Sequence, residues 1–285
     1  MIKSKFYICP ITGFKLYSKK NYLYSKKKNI YFKIERYFGK KVVNFVNQSK
    51  TDKFYIEKKF YTNYLNWLSK TLVMSLEEIR KEIFSDIKIK KKAKILFIGC
   101  GFGDEIKFFI KKYGGNHKIF AQDISKNMVI ESARLIDYSN INFSISNAES
   151  LPYMNDYFDL VFHFGGFNQF KNKKKSIDEM FRVSKEKGEI FFSDEGMGPW
   201  LSKTERYKAL KINNSLWSSK PPLNIIPKET SKVTISWILK NNFYTVRFRK
   251  NRFANKINAN IRHKSPRGGS IKSRYEDYYK KKLKL

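Results

Sequence analysis

Apolar and polar residues alternate in blocks along the middle of the chain, with the spacings of strands and helices in turn. The stretch "KILFIGCGFGDEIKFFI" (94–110) is an apolar run that ends in three glycines and then resumes with helical spacing. This pattern predicts a strand, a tight loop and a helix. The other predicted strands are 117–125, 141–150, 158–164, 188–196 and an aromatic β pattern at 233–250, and the other predicted helices are 126–137, 175–188 and 203–213.

This alternation is typical of an α/β protein with a doubly wound, mostly parallel sheet and helices on both faces. In that architecture ligands bind at the carboxyl ends of the strands. Gly99, Gly101 and Gly103 follow directly after the first of these strands. The pattern therefore predicts both the fold class and the position of a binding site.

The flanking sequences have different patterns and divide the chain into four segments. Residues 1–50 alternate short aromatic runs with lysine-rich turns, which predicts a small β element, and residues 51–90 predict a helical lead-in. We expect residues 91–255 to form the α/β domain. Residues 256–285 are basic and poor in aliphatic side chains, and we expect them to be partly disordered.

The net charge is strongly positive, at +34 from 59 basic and 25 acidic residues. Such a balance is typical of proteins that bind nucleic acid or anionic lipid. However, 48 of the basic residues are Lys and only 11 are Arg, and Lys, Asn, Ile, Tyr and Phe are the residues that AT-rich codons specify. Two interpretations therefore stay open: a solvated lysine-rich surface, or a face for nucleic acid.

Cys9 and Cys100 are the only cysteines, so the sequence offers neither a disulfide framework nor a Cys-only metal site. Apolar runs are all shorter than the ~20 residues that a membrane-spanning helix needs. Pro10 and Gly13 interrupt the N-terminus before a secretory apolar region can form. We therefore expect a cytoplasmic protein without a metal site.

The glycine loop predicts a nucleotide site, but its spacing does not identify the nucleotide. A nicotinamide fingerprint is G-x-G-x-x-G with an acid about 20 residues further on. Asp123 follows Gly103 by 20 residues, whereas the glycines are spaced G-x-G-x-G and Asp104 follows them. Taken alone, the loop could also be only a tight turn between a strand and a helix.

Four motifs at successive strand ends identify a family. "ILFIGCGFG", "AQDIS", "NAESLPYMNDYFDLVF" and "EMFRVSKEKGEI" occur in one order between residues 94 and 196. This series resembles class I S-adenosylmethionine-dependent methyltransferases, and within them the branch that includes ubiquinone and menaquinone C-methyltransferases. The resemblance implies that S-adenosyl-L-methionine is the cofactor.

The same resemblance implies which residues bind the cofactor. Backbone at the glycine loop would approach the methionine and ribose portions, the acid at the end of the second strand would hold the ribose hydroxyls, and the "NA" pair would lie beside adenine. The residues implied are Gly99, Cys100, Gly101, Gly103, Asp123, Ile124, Asn147 and Ala148. The chain departs from the family pattern at two places: Phe97 stands where an acid is usual, and Asn147 stands where Asp is usual.

Methyl transfer is an in-line displacement that needs alignment and the exclusion of water, and it needs a base only where the acceptor loses a proton. Asp194 and Glu195 at a strand end are candidates for that base, and a role in fixing the loop is the alternative. His163 is a third candidate, although its neighbours Phe162 and Phe164 favour a structural histidine in the core. The catalytic residue is therefore open.

Substrate choice in this fold depends on segments outside the sheet. Trp200 and Trp217 fall in such a segment and are candidates for the wall of an apolar pocket, or else for the core. The leading hypothesis is a methyltransferase that acts on a small apolar or aromatic molecule. One alternative is an RNA methyltransferase. The other is a cofactor-binding protein without catalysis, which the departures from the family pattern at Phe97 and Asn147 suggest.

The "ICPITG" segment resembles the zinc-ribbon lead of some ribosomal-RNA and small-molecule methyltransferases. Only Cys9 remains of the cysteine pair that such a knuckle would contain, so the resemblance implies a ribbon that has lost its metal. We expect buried aromatic residues to hold this hairpin in place of the metal. The residues expected to be buried are Tyr7, Phe14, Tyr22, Tyr24 and Tyr31.

Overall fold

The computed structural model describes residues 4–46 and 58–254 and single positions between 272 and 278. The strands are β1 (Tyr17–Lys19), β2 (Tyr22–Ser25), β3 (Ile30–Tyr37), β4 (Lys40–Asn44), β5 (Lys94–Ile98), β6 (Lys118–Asp123), β7 (Ile141–Ile145), β8 (Phe158–Phe164), β9 (Ser184–Glu195), β10 (Thr230–Ile238) and β11 (Phe243–Lys250). The helices are α1 (Lys58–Leu72), α2 (Leu76–Ile83), α3 (Asp104–Tyr113), α4 (Lys126–Leu135), α5 (Lys173–Val183) and α6 (Glu205–Asn213).

These strands form one sheet in the order β1-β2-β3-β4-β7-β6-β5-β8-β9-β11-β10. Strands β4 and β7, β7 and β6, β6 and β5, β5 and β8, and β8 and β9 pair in parallel. Chain order reverses between β5 and β8, which makes the carboxyl end of β5 the switch point where ligands bind in doubly wound sheets. The expected α/β sheet is confirmed, with parallel strands in its centre and antiparallel strands at both ends.

Two layers of core lie on opposite faces of the sheet, because successive side chains of a strand point to opposite sides. On β5, Ile95 and Phe97 pack in one layer, and Leu96 and Ile98 pack in the other. Helices α2 and α3 contribute to the first layer, and α5 contributes to the second. Burial on both faces explains why β5 reads as a continuous apolar run.

Local sequence fixes where several helices begin. The Ser75 hydroxyl accepts from the Glu78 backbone N–H while the Glu78 carboxylate accepts from the Ser75 N–H, a reciprocal cap at the start of α2. At the start of α4 the Ser125 hydroxyl accepts from the Met128 N–H, without a reciprocal bond. The cap of α4 places Ser125 directly after β6, beside the candidate site.

The helix expected over 175–188 is shorter at its C-terminal end than predicted. α5 ends at Val183, and residues from Ser184 onward belong to β9, where Ser184 pairs with Phe158 of β8. The predicted stop at Gly188 is therefore wrong. The charged residues between Ser184 and Gly188 look helical in sequence, but they lie within β9, between the paired positions Ser184 and Glu189.

The N-terminal strands continue the main sheet. β4 pairs in parallel with β7, with Val42 opposite Phe143, and β3 pairs antiparallel with β4. Leu16, Leu23, Phe32 and Val43 join the second core layer, and Val42 of β4 joins the first. Residues 4–46 are thus joined to the α/β sheet through the β4–β7 pair, and the same segment is bonded to the chain after β7, where the Ile8 N–H donates to the Pro152 carbonyl at 3.0 Å.

The expectation that aromatic burial holds the N-terminal hairpins is only partly correct. Tyr7 is 2% exposed, whereas Phe14 is 51%, Tyr22 is 42% and Tyr31 is 52% exposed. Tyr24 is half-buried. Because side chains alternate along a strand, burial of Leu23 and Phe32 turns the tyrosines on either side of them toward solvent.

Part of the sequence-based description falls on residues outside the described ranges. These are residues 1–3, residues 47–57 at the end of the small β element and the start of the lead-in, residue 255, and all but single positions of the basic segment 256–285. No helix among the described residues is both long and apolar enough to cross a bilayer. Within the same residues, no group of three or more His, Cys, Asp and Glu side chains is placed to hold a metal ion.

Candidate active site

The loop after β5 has a conformation that only glycine adopts readily. Gly99, Gly101 and Gly103 all have left-handed φ angles, of 64°, 49° and 82°. A Cβ on Gly99 would lie 3.2 Å from the His163 ring, and one on Gly103 would lie 2.7 Å from Ile136. A Cβ on Gly101 would have no atom within 4 Å. The loop is therefore packed at both ends and open in its middle, where backbone is accessible to a ligand.

Asp123 ends β6 beside this loop. Its Oδ2 accepts a hydrogen bond from the Gly101 N–H at 3.0 Å, and its Oδ1 accepts from the Ser125 N–H at 2.9 Å. Burial raises the pKa of this carboxyl, against the lowering effect of the backbone donors. No Lys, Arg or His among the described residues forms an ion pair with Asp123. It is a carboxylate fixed in place with acceptor capacity left over.

Asn147 and Ala148 follow β7, next to Asp123. The Ser146 N–H donates to the Asp123 carbonyl at 2.9 Å, so the two strand ends adjoin. The Asn147 Oδ1 accepts from the Glu149 N–H at 2.9 Å, which leaves the Nδ2 group without an intramolecular partner among the described residues. Ala148 is buried. The pair presents an amide donor and a small side chain at the sheet edge.

Cys100 and Ile124 contribute to the site mainly through backbone. The Cys100 side chain packs in the first core layer, its N–H donates to the Gln122 carbonyl at 2.8 Å, and burial raises the pKa of its thiol. Ile124 is half-buried between Asp123 and the cap residue Ser125. All eight residues that the sequence implied for the cofactor therefore lie at the carboxyl ends of β5, β6 and β7.

His163 lies beneath the glycine loop. Its Nδ1 donates to the Ile98 carbonyl at 2.8 Å, and its Nε2 has no partner within the described residues. Burial lowers its pKa to about 4, so the ring is neutral near pH 7. The side chain is 1% exposed and packs against Phe170. This environment favours the structural interpretation, in which His163 supports Gly99 from below.

Asp194 and Glu195 end β9. Asp194 is fully buried and accepts hydrogen bonds from the backbone N–H groups of Gly166, Asn168 and Glu195. Burial, with the adjacent Glu195, raises the pKa of Asp194 to about 9. Glu195 is half-buried. Asp194 thus fixes the loop 165–168, and Glu195 is the more exposed of the two carboxylates.

Helix α1 contributes two residues that the sequence reasoning missed. The Tyr64 hydroxyl donates to Glu195 Oε1 at 2.9 Å, and the Tyr61 ring packs 4.9 Å from the Phe102 ring in the glycine loop. Burial and the Glu195 charge raise the pKa of Tyr64, so it acts as a donor. Helix α1 therefore bridges the loop after β5 and the end of β9. The i, i+3 spacing of the two tyrosines is the only sequence feature that marks them.

Asn168 and Tyr244 make further polar contacts beside Glu195. The Asn168 Nδ2 donates to the Glu195 carbonyl at 2.7 Å, and the Tyr244 hydroxyl donates to Asn168 Oδ1 at 2.8 Å. Neither residue was singled out in the sequence. Together they hold the β9 end against β11, so the position of Glu195 is determined from both sides.

Aromatic side chains pack beside α1, but only one of the two tryptophans expected to form a pocket wall is among them. Trp217 is 1% exposed and packs edge-on to Phe243, while Trp67 of α1 lies 6.3 Å from Trp217. Trp200 is 59% exposed and packs against Trp237. The two tryptophans that the sequence suggested as one wall therefore do not meet.

Phe97, which replaces the usual acid of the family, lies in the core. It is 2% exposed and packs against Phe109 and Phe162. The nearest carboxylates on α3, those of Asp104 and Glu105, form ion pairs with Arg80 of α2. The substitution thus extends the apolar core and supplies no charge to the site.

The reversal at β5, the glycine loop, the acid after β6 and an antiparallel strand beside β9 define a class I S-adenosylmethionine-dependent methyltransferase. The chain belongs to the methyltransferase-domain family, whose family model matches residues 89–252. Its cofactor is S-adenosyl-L-methionine.

Individual relatives are similar over a shorter stretch. The chain is 34% identical over 100 residues to a ubiquinone/menaquinone biosynthesis C-methyltransferase of Hydrogenovibrio crunogenus, covering 34% of this chain and 39% of that protein. It is 32% identical over 104 residues to the Burkholderia mallei protein of the same name, covering 36% and 43%. The matched stretch thus spans about two-fifths of the length of these relatives.

Solved structures share the fold at low identity. A phosphoethanolamine N-methyltransferase 2 of Haemonchus contortus in complex with S-adenosyl-L-methionine superposes with a TM-score of 0.53 at 12% identity, covering 71% of this chain and 60% of that one. A methyltransferase-fold protein from Methanococcus maripaludis gives a TM-score of 0.51 at 20% identity, covering 72% and 96%. These similarities establish the fold alone.

Proposed function

We propose that this protein transfers a methyl group from S-adenosyl-L-methionine to a small apolar or aromatic molecule, with Glu195 as the base that accepts a proton from the acceptor. The observation that carries the proposal is the Tyr64–Glu195 hydrogen bond at the same sheet edge as the glycine loop. The C-methyltransferase relatives support an apolar, ring-containing acceptor.

The residues at the strand ends fit the cofactor. The space above Gly101, where a Cβ would meet nothing within 4 Å, admits a ligand against the backbone. The Asp123 carboxylate has no cationic partner within the described residues and suits two ribose hydroxyls, and the Asn147 Nδ2 suits an adenine ring nitrogen. When bound, the cofactor supplies an electrophilic methyl group on a sulfonium.

The aromatic residues along α1 fit an apolar acceptor. Tyr61, Tyr64 and Trp67 lie along α1, and the rings of Tyr64 and Trp67 stack with centroids 6.0 Å apart. Beneath them, Trp217 and Phe243 close the core. Such a wall binds a flat apolar molecule by burial and ring contacts, and it excludes water from the reacting atoms.

Glu195 is the proposed proton acceptor. Two adjacent carboxyl groups resist ionising together, and the buried Asp194 is the one with the strongly raised pKa. Glu195 is half-buried and faces Tyr64. A phenol or activated carbon in contact with Glu195 would lose its proton to this carboxylate as the methyl group is transferred.

We further propose that the protein works in the cytoplasm. Both cysteines are free and buried, Cys9 in the second core layer and Cys100 in the first. A pair of unlinked thiols suits a reducing compartment. The proposed binding partner at the active site is a small molecule.

Incubation of the purified protein with methyl-labelled S-adenosyl-L-methionine and cell extract tests the function. We expect label in the organic-solvent fraction of the extract, and a large loss of that label with Glu195→Gln. Label in RNA would show that the methyl acceptor is an RNA and not a small molecule. Cofactor binding without any labelled product would show a non-catalytic binding protein, and absence of binding would remove the proposal.

A further inference from the structure

The outer face of the N-terminal strands carries a row of tyrosines in register. Tyr17 of β1 lies opposite Tyr24 of β2, and Tyr24 lies opposite Tyr31 of β3. The Tyr17 and Tyr24 ring centroids are 5.7 Å apart, and the Tyr24 and Tyr31 rings stack at the same 5.7 Å. Tyr22 meets Tyr31 edge-on at 6.2 Å. We name these four residues the tyrosine face.

Burial of the other side of the strands forces these rings outward. Leu23 is fully buried and Phe32 is 5% exposed, both in the second core layer. Tyr31 is 52% and Tyr17 is 37% exposed. Four aromatic rings that touch one another in solvent leave their free faces and edges to a partner. An open cavity beside them is lined by Lys19, Lys20, Asn21, Tyr22 and Tyr31.

Charge around the tyrosine face has one sign. Residues 4–46 contain eleven Lys and Arg residues and a single acid, Glu35. That acid is already paired with Lys33 at 3.5 Å and with Lys126 at 3.1 Å. Two lysines adjoin the aromatic rings, with the Lys26 Nζ 4.5 Å from the Tyr17 centroid and the Lys27 Nζ 4.0 Å from that of Phe14. The surface is thus complementary to a polyanion.

We propose that the tyrosine face binds single-stranded nucleic acid, with bases stacked on the tyrosine rings and phosphates held by the surrounding lysines. Stacking on aromatic rings beside a basic groove is how proteins hold single strands without reading their sequence. Lysine, a point charge, suits phosphate contacts, whereas base reading favours the scarce Arg. The expected binding is therefore independent of sequence.

This surface is separate from the proposed cofactor site. The tyrosine face lies on β1–β3 at one end of the sheet, and β4, β7 and β6 intervene before the glycine loop of β5. Binding to the tyrosine face therefore requires neither cofactor nor methyl transfer. Variants of the tyrosine face should retain S-adenosyl-L-methionine binding, which also reports that they fold.

Fluorescence anisotropy with labelled oligonucleotides tests the proposal. We expect the full chain to bind 12-nucleotide oligo-uridylate and oligo-thymidylate, with affinity that falls steeply between 50 and 200 mM NaCl, by a log–log slope of about −0.7 per phosphate contacted. A 12-mer of abasic ribose phosphate should bind roughly tenfold or more weakly, because it lacks the stacking contribution. A 12-base-pair duplex should also bind more weakly, because its bases are covered.

Variants separate the tyrosine face from general charge. Tyr24→Leu/Tyr31→Leu should weaken oligo-uridylate binding by roughly tenfold or more, while Phe60→Leu, which alters an exposed aromatic residue of α1, should leave binding unchanged. Equal affinity for the abasic and base-containing strands would overturn the proposal without use of any variant. Binding to phosphatidylserine vesicles in place of oligonucleotide would show a membrane surface instead.

Discussion

The Asp123 carboxylate accepts a hydrogen bond from the backbone N–H of Gly101 at 3.0 Å. One oxygen therefore ties the end of β6 to the middle of the glycine loop, and the other oxygen ties it to Ser125 at the start of α4. The acid and the loop form one prearranged unit, so a change at Asp123 affects both the cofactor contacts and the shape of the cradle.

Asp123→Ala should weaken S-adenosyl-L-methionine binding by roughly 10- to 100-fold, because a hydrogen bond to a charged acceptor contributes about 1.5–3 kcal/mol. Isothermal titration calorimetry measures the effect. Asp137→Ala, which removes an exposed carboxylate just after α4, is the matched control and should bind as the unaltered protein does. Equal affinity of the two variants would show that Asp123 does not contact the cofactor.

Gly101→Ala should reduce cofactor binding far more than it reduces stability. Its left-handed φ costs an alanine about 1 kcal/mol, but no protein atom lies near the added Cβ, so the methyl group would occupy the ligand's space. Gly39→Ala is the matched control, with a φ of 72° and equally open surroundings in the β3–β4 turn. Melting temperatures should fall similarly in both variants, and only Gly101→Ala should lose affinity for the cofactor.

Tyr64→Phe and Glu195→Gln should separate positioning from proton transfer. Loss of the Tyr64 hydroxyl removes one donor to Glu195, so turnover should fall by about tenfold or less. Glu195→Gln removes the base, so turnover should fall by about 100-fold or more while cofactor affinity is kept. Turnover of Glu195→Gln at the normal rate would assign Glu195 a structural role only.

His163 should make the protein less stable in acid. Its pKa is lowered to about 4 in the folded state, against 6.5 for a free side chain, so the unfolded chain binds the proton first. The contribution of His163 to the free energy of unfolding is fully present above pH 6.5. It is lost as the pH falls to about 4, by about 3 kcal/mol in total. His163→Asn keeps a donor for the Ile98 carbonyl and should reduce this decline, as urea unfolding at pH 7 and pH 4.5 would show. An undiminished decline would place the titrating group elsewhere.

The N-terminal hairpin should contain no zinc. Cys9 is the only cysteine of that segment, and its backbone closes the turn, with the Gly13 N–H donating to the Cys9 carbonyl at 2.8 Å. Structural zinc needs four ligands. Elemental analysis should find no stoichiometric zinc, and EDTA should not change the melting temperature. One equivalent of zinc, lost with Cys9→Ser, would contradict this prediction.

Periodicity in the sequence sufficed to predict the central sheet, because strands buried on both faces are marked by runs such as that of β5. The end of α5 could not be predicted in this way. Residues 185–187 are charged, and they are strand only because Ser184 and Glu189 on either side of them pair with Phe158 and Leu160 of β8. Pairing between distant segments overrides local propensity at such places.

Some residues of the candidate site could likewise be predicted from the sequence, and others could not. Gly101, Asp123 and Asn147 could be predicted because the carboxyl ends of parallel strands meet at one edge. Tyr64 could not, because its contact with Glu195 joins positions 131 residues apart. Only the path of α1 across the sheet edge brings them together.

The parallel pairing of β4 with β7 has a consequence for the order of folding. Val42 meets Phe143 about a hundred residues further along the chain, so β1–β4 leave the ribosome long before their partner strand exists. Contacts of such high sequence separation form late. Until then, the apolar side of the hairpins, with Leu23 and Phe32, stays uncovered, and the nascent chain is open to association with other chains at that side.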